Sequence, residues 1–570
     1  MTAISYGTTS AARQLLNEVI SLLDRHPQEA IDQQTVENVE QTAHRAVCLL
    51  RQRFNETNPT PFNRMPPELL RLVFELLRQP CSACSGPQGL LISDSASSYR
   101  PLTAPMLVSH KWYRVIRQHA ALWTDIVLEL TARHGIRPRW DVHLLEWSKE
   151  APINLRLEFT AGQVAQCESV LQQHGDRICR LQLFTVCVAS VHEMPRLLST
   201  LVDHSRLTRL SLSLPNPMDM GTPHIRADPG PMLCLRELVL DRVMWVPAHP
   251  LPALIAIRMM GIQPLLYEQL SALLSLAPSL DALHLAATMV DPSRPPATSP
   301  LPLSHLRTLT LTHMLASDVQ KFMTWQLLPA VEDMRIHKLT LDISPGRPFL
   351  LRPLTLSCEP MLRLDVFAPG PRYTDRGKHL SFAAQSDRST FSLDAMSRRE
   401  SSWGDGAFWL LAVPTVLHLY SLTSCRLRLS SWMQSTLYGF ARHVPNLQHI
   451  VVQSVDAPEA ATVVGTVPMV HALSKLLQKD DPVLCPTLVS VGIRLQFADL
   501  LNSYLPGLVA ALAVRAQNGH RLRSLLVCVT PSQSPARCAP AGSTHKEELL
   551  RYVEQVELGC SPEELWSEKP

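Results

Sequence analysis

The chain has 570 residues, of which 46% are hydrophobic and 18% are charged, so most of it is expected to fold into compact cores. Its 53 basic and 50 acidic side chains leave a formal charge of +3, which argues against nucleic acid or an anionic membrane as a partner. The thirteen cysteines, with an N-terminus that lacks the pattern of a secretory signal, favour a reduced protein of the cytoplasm or nucleus with free, mostly buried thiols.

The first 58 residues predict a helical hairpin. Residues 10–25 place apolar side chains on one helical face, and residues 34–54 repeat that pattern. The hairpin is expected to pack on the neighbouring segment, and self-association through the same two helices is the alternative.

Pro66 and Pro67 mark the start of the next predicted helix, because the N–H that proline lacks has no partner in a first turn. The apolar residues that follow form two adjacent stripes, which are Leu69, Val73 and Leu76, and Leu70, Phe74 and Leu77. A helix with so wide an apolar face is expected to bury two sides, one inside its own domain and one against a partner.

Residues 79–104 are rich in serine, glycine and proline and predict a loop inserted before the next helix. This loop contains Cys81-x-x-Cys84. A zinc site needs a second pair of ligands at suitable spacing, and none follows nearby, so no metal site is predicted.

From about residue 176 onward, short segments of the pattern L-x-x-L-x-L recur, with a spacing of roughly 20–30 residues in the first half. They begin at Leu207, Leu235, Leu254, Leu280, Leu306, Ile336, Met361, Leu447, Leu488 and Leu522. Each predicts a short strand followed by a turn or helix that returns the chain, as in a leucine-rich-repeat solenoid. The repeats are degenerate, because the consensus Asn or Cys position is occupied by Pro215, Val243, Ile262, Thr288 and Met314.

The predicted fold class is therefore α/β, with N-terminal helices and a helical module followed by an irregular solenoid over residues 131–530. Residues 369–406 are polar and turn-rich and predict a long inserted loop within it. Residues 531–570 predict a linker and a C-terminal tail, with a short helix at 547–556.

Residues 62–128 resemble an F-box, the short helical module that docks a protein onto a Skp-type adaptor. The run Met65-Pro66-Pro67-Glu68-Leu69-Leu70 is similar to the family's Leu-Pro-x-Glu-Leu start. The run Val108-Ser109-His110-Lys111-Trp112 is similar to its Val-Cys-x-x-Trp helix, and Leu122-Trp123 to its closing Leu-Trp. With helices ahead of this F-box-like domain (59–130) and degenerate repeats behind it, the chain looks most like the F-box family of mushroom-forming fungi.

The resemblance implies that the F-box binds a Skp-type adaptor of the cullin ligase core and that the repeats hold an unknown protein substrate. Carried over by position, the adaptor-contact candidates are Pro66, Pro67, Leu69, Leu70, Val73, Val108, Trp112 and Ile116. Trp123 is expected in the core instead. The expected function is that of a non-catalytic substrate receptor of a cullin-based ubiquitin ligase. The alternative is a leucine-rich-repeat interaction scaffold that takes no part in ubiquitination.

The sequence contains no recognised catalytic, nucleotide-binding or zinc-protease motif, so neither an enzyme nor a cofactor is expected. Its best apolar run, at 508–514, is far shorter than the roughly 18 residues that a membrane helix needs. No membrane is therefore expected as a partner.

Overall fold

A computed structural model describes the helices and strands of the chain. The described residues, apart from a few isolated positions, are 65–78, 100–129, 140–185, 188–200, 205–214, 222–225, 230–291, 305–324, 331–341, 361–368, 378–397, 419–429, 436–454, 484–495, 499–529 and 542–558. The predicted hairpin in residues 1–58 and the Cys81-x-x-Cys84 pair lie outside these ranges.

The chain divides into two compact units. Unit 1 comprises Met1–Val186 and Thr200–Leu207, and unit 2 comprises Cys187–Ser199 and Thr208–Pro570. Both combine helices with parallel strands, so the predicted mixed α/β class is confirmed.

Unit 1 begins with three helices and continues into a small parallel sheet. Its elements are α1 (Pro67–Arg78), α2 (Arg100–Met106), α3 (His110–Gln118), β1 (Asp125–Glu129), α4 (Trp140–Trp147), β2 (Ile153–Phe159), α5 (Val164–His174) and β3 (Ile178–Thr185). Strand β2 pairs in parallel with both β1 and β3. The loop predicted over 79–104 is wrong at its end, because α2 already begins at Arg100.

Unit 2 is built on one large, mostly parallel sheet. Its helices are α6 (Met194–Ser199), α7 (Tyr267–Ser275), α8 (Ala316–Thr324), α9 (Thr436–Ala441), α10 (Asp499–Gln517) and α11 (Gly542–Leu550). Its strands are β4 (Arg209–Ser213), β5 (His224–Ile225), β6 (Glu237–Asp241), β7 (Met244–Trp245), β8 (Ala256–Met260), β9 (Ala282–Ala286), β10 (Thr308–Thr312), β11 (Asp333–Leu341), β12 (Arg363–Ala368), β13 (Lys378–Gln385), β14 (Thr390–Ser397), β15 (Ser424–Leu429), β16 (His449–Ser454), β17 (Ser490–Leu495), β18 (Leu522–Val529) and β19 (Val553–Leu558). Strands β5 and β7 form a separate pair.

Every predicted L-x-x-L-x-L segment contributes a strand of the large sheet. The reason is the two-residue period of a strand, which turns alternate side chains to one face. In β9, for example, Leu283 and Leu285 are buried while Ala282, His284 and Ala286 are half-buried on the other face. The strand predictions are therefore confirmed.

Four of these strands are followed by a turn that begins with a residue of positive φ. We call these four residues the left-handed ladder; they are Arg242, Gly261, Ala287 and His313, with φ angles of 57°, 63°, 49° and 56°. Each N–H donates to a carbonyl of the next strand in the sheet, at 2.7–2.9 Å. The acceptors are the last residues of β8, β9 and β10 and, for His313, His337 within β11. The residue after each member is buried, and these residues are Val243, Ile262, Thr288 and Met314.

Residues 369–406 do not form the predicted long loop throughout, because β13 and β14 lie within them. Phe391, Leu393 and Ala395 are buried and alternate with polar residues, which is the pattern of a strand. The meander β12–β13–β14 folds back so that β14 pairs in parallel with β11. Among the described strands, β13 alone runs antiparallel to both neighbours.

The predicted helix at 547–556 is also wrong in part. Helix α11 ends at Leu550, and Val553–Leu558 forms β19, which pairs in parallel with β18. Val553 and Val556 are buried. Their burial in β19 is favoured over continuing the helix past Leu550.

Arg515 connects α10 to the turn before β17. Its guanidinium is buried and donates to the carbonyls of Leu484 at 3.1 Å and Cys485 at 2.6 Å. Cys485 has a positive φ of 47°, so the arginine holds a turn that a non-glycine residue adopts at a cost.

The described cysteines are mostly thiols. Free thiols are found at Cys167, Cys179, Cys234, Cys425 and Cys485. Burial raises the pKa of Cys167 to about 12 and that of Cys485 to about 11, so both stay protonated at neutral pH. Cys528, however, is disulfide-bonded, so the prediction of free thiols is wrong for that residue.

Candidate protein-docking surface

The three helices at the start of unit 1 share a small aromatic core. Leu70 and Phe74 of α1 are fully buried, and the Phe74 ring meets the Trp112 ring of α3 edge-on with centroids 5.5 Å apart. Trp123 is buried as expected, and its indole N–H donates to the carbonyl of Ile116 at 2.9 Å. These contacts fix α1 against α3 and define the inner side of α1.

Polar contacts fix the same helices at their ends. The Ser109 hydroxyl caps α3 by accepting from the N–H of Trp112 at 3.1 Å. Lys111 donates from Nζ to the carbonyl of Met65, just ahead of α1, at 2.8 Å. Nε2 of His119 lies 2.6 Å from a carboxylate oxygen of Glu75. The outer side of α1 is therefore presented on a fixed frame.

That outer side is apolar and exposed. Leu69, Leu72, Leu76 and Leu77, which we call the α1 patch, are 49%, 55%, 66% and 47% exposed. At 100° per residue they span roughly 140° of the helix circumference. Leu107 and Val108, in the turn before α3, are exposed as well.

This concentration is unusual within the chain. Of the twelve large apolar side chains that are exposed among the described residues, six lie between residues 69 and 108. Single exposed apolar residues are common on protein surfaces, whereas a group of them marks an interaction site.

The predicted adaptor contacts fall into three groups. Pro66, Pro67, Leu69 and Val108 are exposed, and Val73 and Trp112 are half-buried. Leu70 and Ile116 are fully buried, so the structure places them in the core of unit 1, where a partner does not reach them. The first six residues remain predictions.

The contacts predicted from the sequence do not include Leu72, Leu76, Leu77 and Leu107, which are all exposed. The helical spacing of Leu69, Leu72 and Leu76 (i, i+3, i+7) indicates that Leu72 and Leu76 lie on the same side of α1 as Leu69. The family motif alone does not separate the two sides of α1, because both carry leucines.

No metal-binding cluster supports a catalytic reading in the part of the chain that the structure describes. There, no group of three or more His, Cys, Asp or Glu side chains is arranged to hold a metal ion. The described helices also include none that is long and apolar enough to cross a bilayer.

Comparison with models of protein families and with curated proteins finds no match to the chain.

Proposed function

We propose that the chain is a non-catalytic F-box substrate receptor of a cullin-based ubiquitin ligase, and that the α1 patch docks it on a Skp-type adaptor. The observation that carries this proposal is the exposed α1 patch beside a packed α1–α3 pair. Helix α1 buries Leu70 and Phe74 on one side and leaves four leucines outside. An interface core of clustered apolar side chains is what protein partners require.

We also propose that unit 2 is an irregular leucine-rich-repeat solenoid that holds the substrate. Parallel strands that recur along the chain support it, as does the left-handed ladder. The register partners Ala256, Ala282 and Thr308 follow one another at a constant interval of 26 residues. That interval lies in the range of this repeat class. In place of a consensus asparagine, a backbone N–H group and a buried residue fix each turn, and the buried residue is apolar in three of the four.

A receptor of this kind works by proximity. It raises the effective concentration of substrate lysines near the conjugating enzyme and performs no chemistry itself. The two surfaces have separate tasks, because the patch lies in unit 1 and the repeat strands lie in unit 2.

The decisive experiment is co-purification of the full chain with a Skp-type adaptor. The test variant is Leu76→Glu, which puts a charge in the middle of the α1 patch. The matched control is Leu233→Glu, because Leu233 in unit 2 is 61% exposed and Leu76 is 66% exposed. We expect the wild type and the control to retain the adaptor and the test variant to lose it.

If the folded wild type does not bind the adaptor, the receptor function is wrong, and an interaction scaffold outside ubiquitination becomes the better reading. If Leu76→Glu binds as well as Leu233→Glu, the α1 patch is not the docking surface.

A further inference from the structure

One row of side chains on the non-core face of unit 2 carries more positive charge than the nearby acidic residues balance. Successive register partners on β8, β9, β10 and β11 are Arg258, His284, Thr310 and Arg335, which we call the central row. All four alternate with buried core residues of their own strands. At about 4.8 Å between neighbouring strands, the central row extends for roughly 14 Å.

Most charges around the central row are paired. Arg209 lies 3.2 Å from Glu237, and Arg335 lies 2.6 Å from Asp333. Arg258 is different, because it makes neither a close ion pair nor a hydrogen bond among the described residues, and the nearby Glu237 is already paired with Arg209. It is also half-buried. Burial lowers its pKa and the positive charge of Arg209 lowers it further, whereas the carboxylate of Glu237 raises it.

The neighbour of Arg258 is neutral and polar. Burial lowers the pKa of His284 to about 4, with further contributions from Arg258 and His337, so His284 is uncharged at neutral pH. Nε2 of His284 lies 3.1 Å from the Thr312 hydroxyl. The site therefore offers one guanidinium beside neutral hydrogen-bonding groups.

We propose that Arg258 binds the carboxylate of a glutamate or aspartate in an extended segment of a partner protein. A half-buried guanidinium that shares its nearby acid with a second arginine is stabilised further by an anion that arrives with the ligand. Arg209, Arg258 and Glu237 together leave one positive charge, which matches a monoanionic carboxylate better than a phosphate dianion. A roughly 14 Å row accommodates about four residues of extended peptide.

The surroundings argue against a polyanion. Glu237 and Asp241 on the adjacent strand β6 and Asp333 on β11 lie outside the core and would repel a strand of nucleic acid or a run of acidic residues. The bound segment is therefore one acidic residue with neutral neighbours. The carboxylate site is independent of the proposed function; only the identification of the bound segment as part of the ligase substrate rests on it.

The test is a panel of random neutral nonapeptides with a fixed central residue, which is glutamate, glutamine or phosphoserine, probed with the full chain. We expect the wild type to prefer the glutamate panel over the glutamine panel about tenfold, the gain of a charge-assisted hydrogen bond. Arg258→Gln should abolish the preference and Arg258→Lys should retain part of it. Arg307→Gln is the control and should keep it, since Arg307 is exposed and pairs with Asp281 at 3.8 Å.

The inference is overturned if the wild type does not distinguish glutamate from glutamine, or if Arg258→Gln keeps the preference. A stronger preference for phosphoserine also overturns it, because the ligand would then be a dianion. The panel contains no adaptor, so its failure alongside normal adaptor binding refutes the carboxylate site and leaves the receptor function standing.

Discussion

Truncating two leucines of α1, Leu70 and Leu76, should have opposite effects on stability and on adaptor binding. Leu76 is 66% exposed, whereas Leu70 is fully buried. Burying a whole leucine side chain is worth about 1.5–3 kcal/mol, so covering the exposed two thirds of Leu76 in a complex is worth about 1–2 kcal/mol. Leu76→Ala should therefore weaken adaptor binding roughly 5- to 30-fold and leave the free energy of unfolding nearly unchanged.

Leu70→Ala should do the reverse. Removing a buried leucine leaves a cavity and costs about 2–5 kcal/mol of stability. At a temperature where the variant stays folded, its affinity for the adaptor should be close to that of the wild type. Titration calorimetry with the purified adaptor measures the affinities, and chemical denaturation measures the stabilities. The reasoning is refuted if Leu76→Ala destabilises the chain as much as Leu70→Ala, because Leu76 would then be part of the core.

Three further predictions concern unit 2. Gly261→Ala should lower the unfolding free energy by about 2 kcal/mol and Gly519→Ala by about 1 kcal/mol, because alanine is strained at the positive φ of both positions. The loss is larger at Gly261 because a new Cβ there would lie 2.7 Å from Cγ of Arg242. Equal losses in denaturation midpoint would contradict this contact. From pH 6.5 down to pH 4, the unfolded chain protonates His284 while burial beside Arg258 keeps the folded chain from doing so, so stability should fall by up to about 3 kcal/mol. The slope of stability against pH should be shallower in His284→Gln, and an unchanged slope counts against the low folded pKa. Arg515→Met should cost about 2 kcal/mol by leaving two buried carbonyls without donors, and a midpoint equal to the wild type's would show that they find other partners.

The strands of unit 2 could be predicted from the sequence because their signal is local. Each L-x-x-L-x-L segment places its core residues on one side of a strand, and this alternation can be read from a few adjacent residues. The same logic failed at residues 369–406, where overall polarity hid the alternation of Phe391, Leu393 and Ala395. A segment can be polar on average because it is a loop or because it is a strand whose alternate residues face solvent, so average polarity does not distinguish the two.

The docking surface could be predicted only in part. The proline start and the apolar stripes of α1 identify the helix, but the buried side depends on α3 and its Trp112 ring. A single helix carries no record of which stripe its neighbour covers. For that reason the sequence predicts both Leu69 and Leu70 as contacts, although Leu70 is fully buried and Leu69 is 49% exposed.

The meander β12–β13–β14 gives the large sheet a seam. From β8 to β11, paired strands also follow one another in sequence, whereas Asp333 of β11 meets Thr390 of β14 across 57 residues. Closing a segment about twice as long as a 26-residue repeat costs only about 0.7 kcal/mol more, so the detour is inexpensive.

Removing the detour would be far more damaging. A chain that lacked β13 and β14 would leave the hydrogen-bonding edges of β11 and β12 open in the middle of the sheet. Open edges of that kind recruit other chains and promote aggregation. Strands β13 and β14 therefore join two stretches of repeats that would otherwise each end in an unpaired, aggregation-prone strand edge.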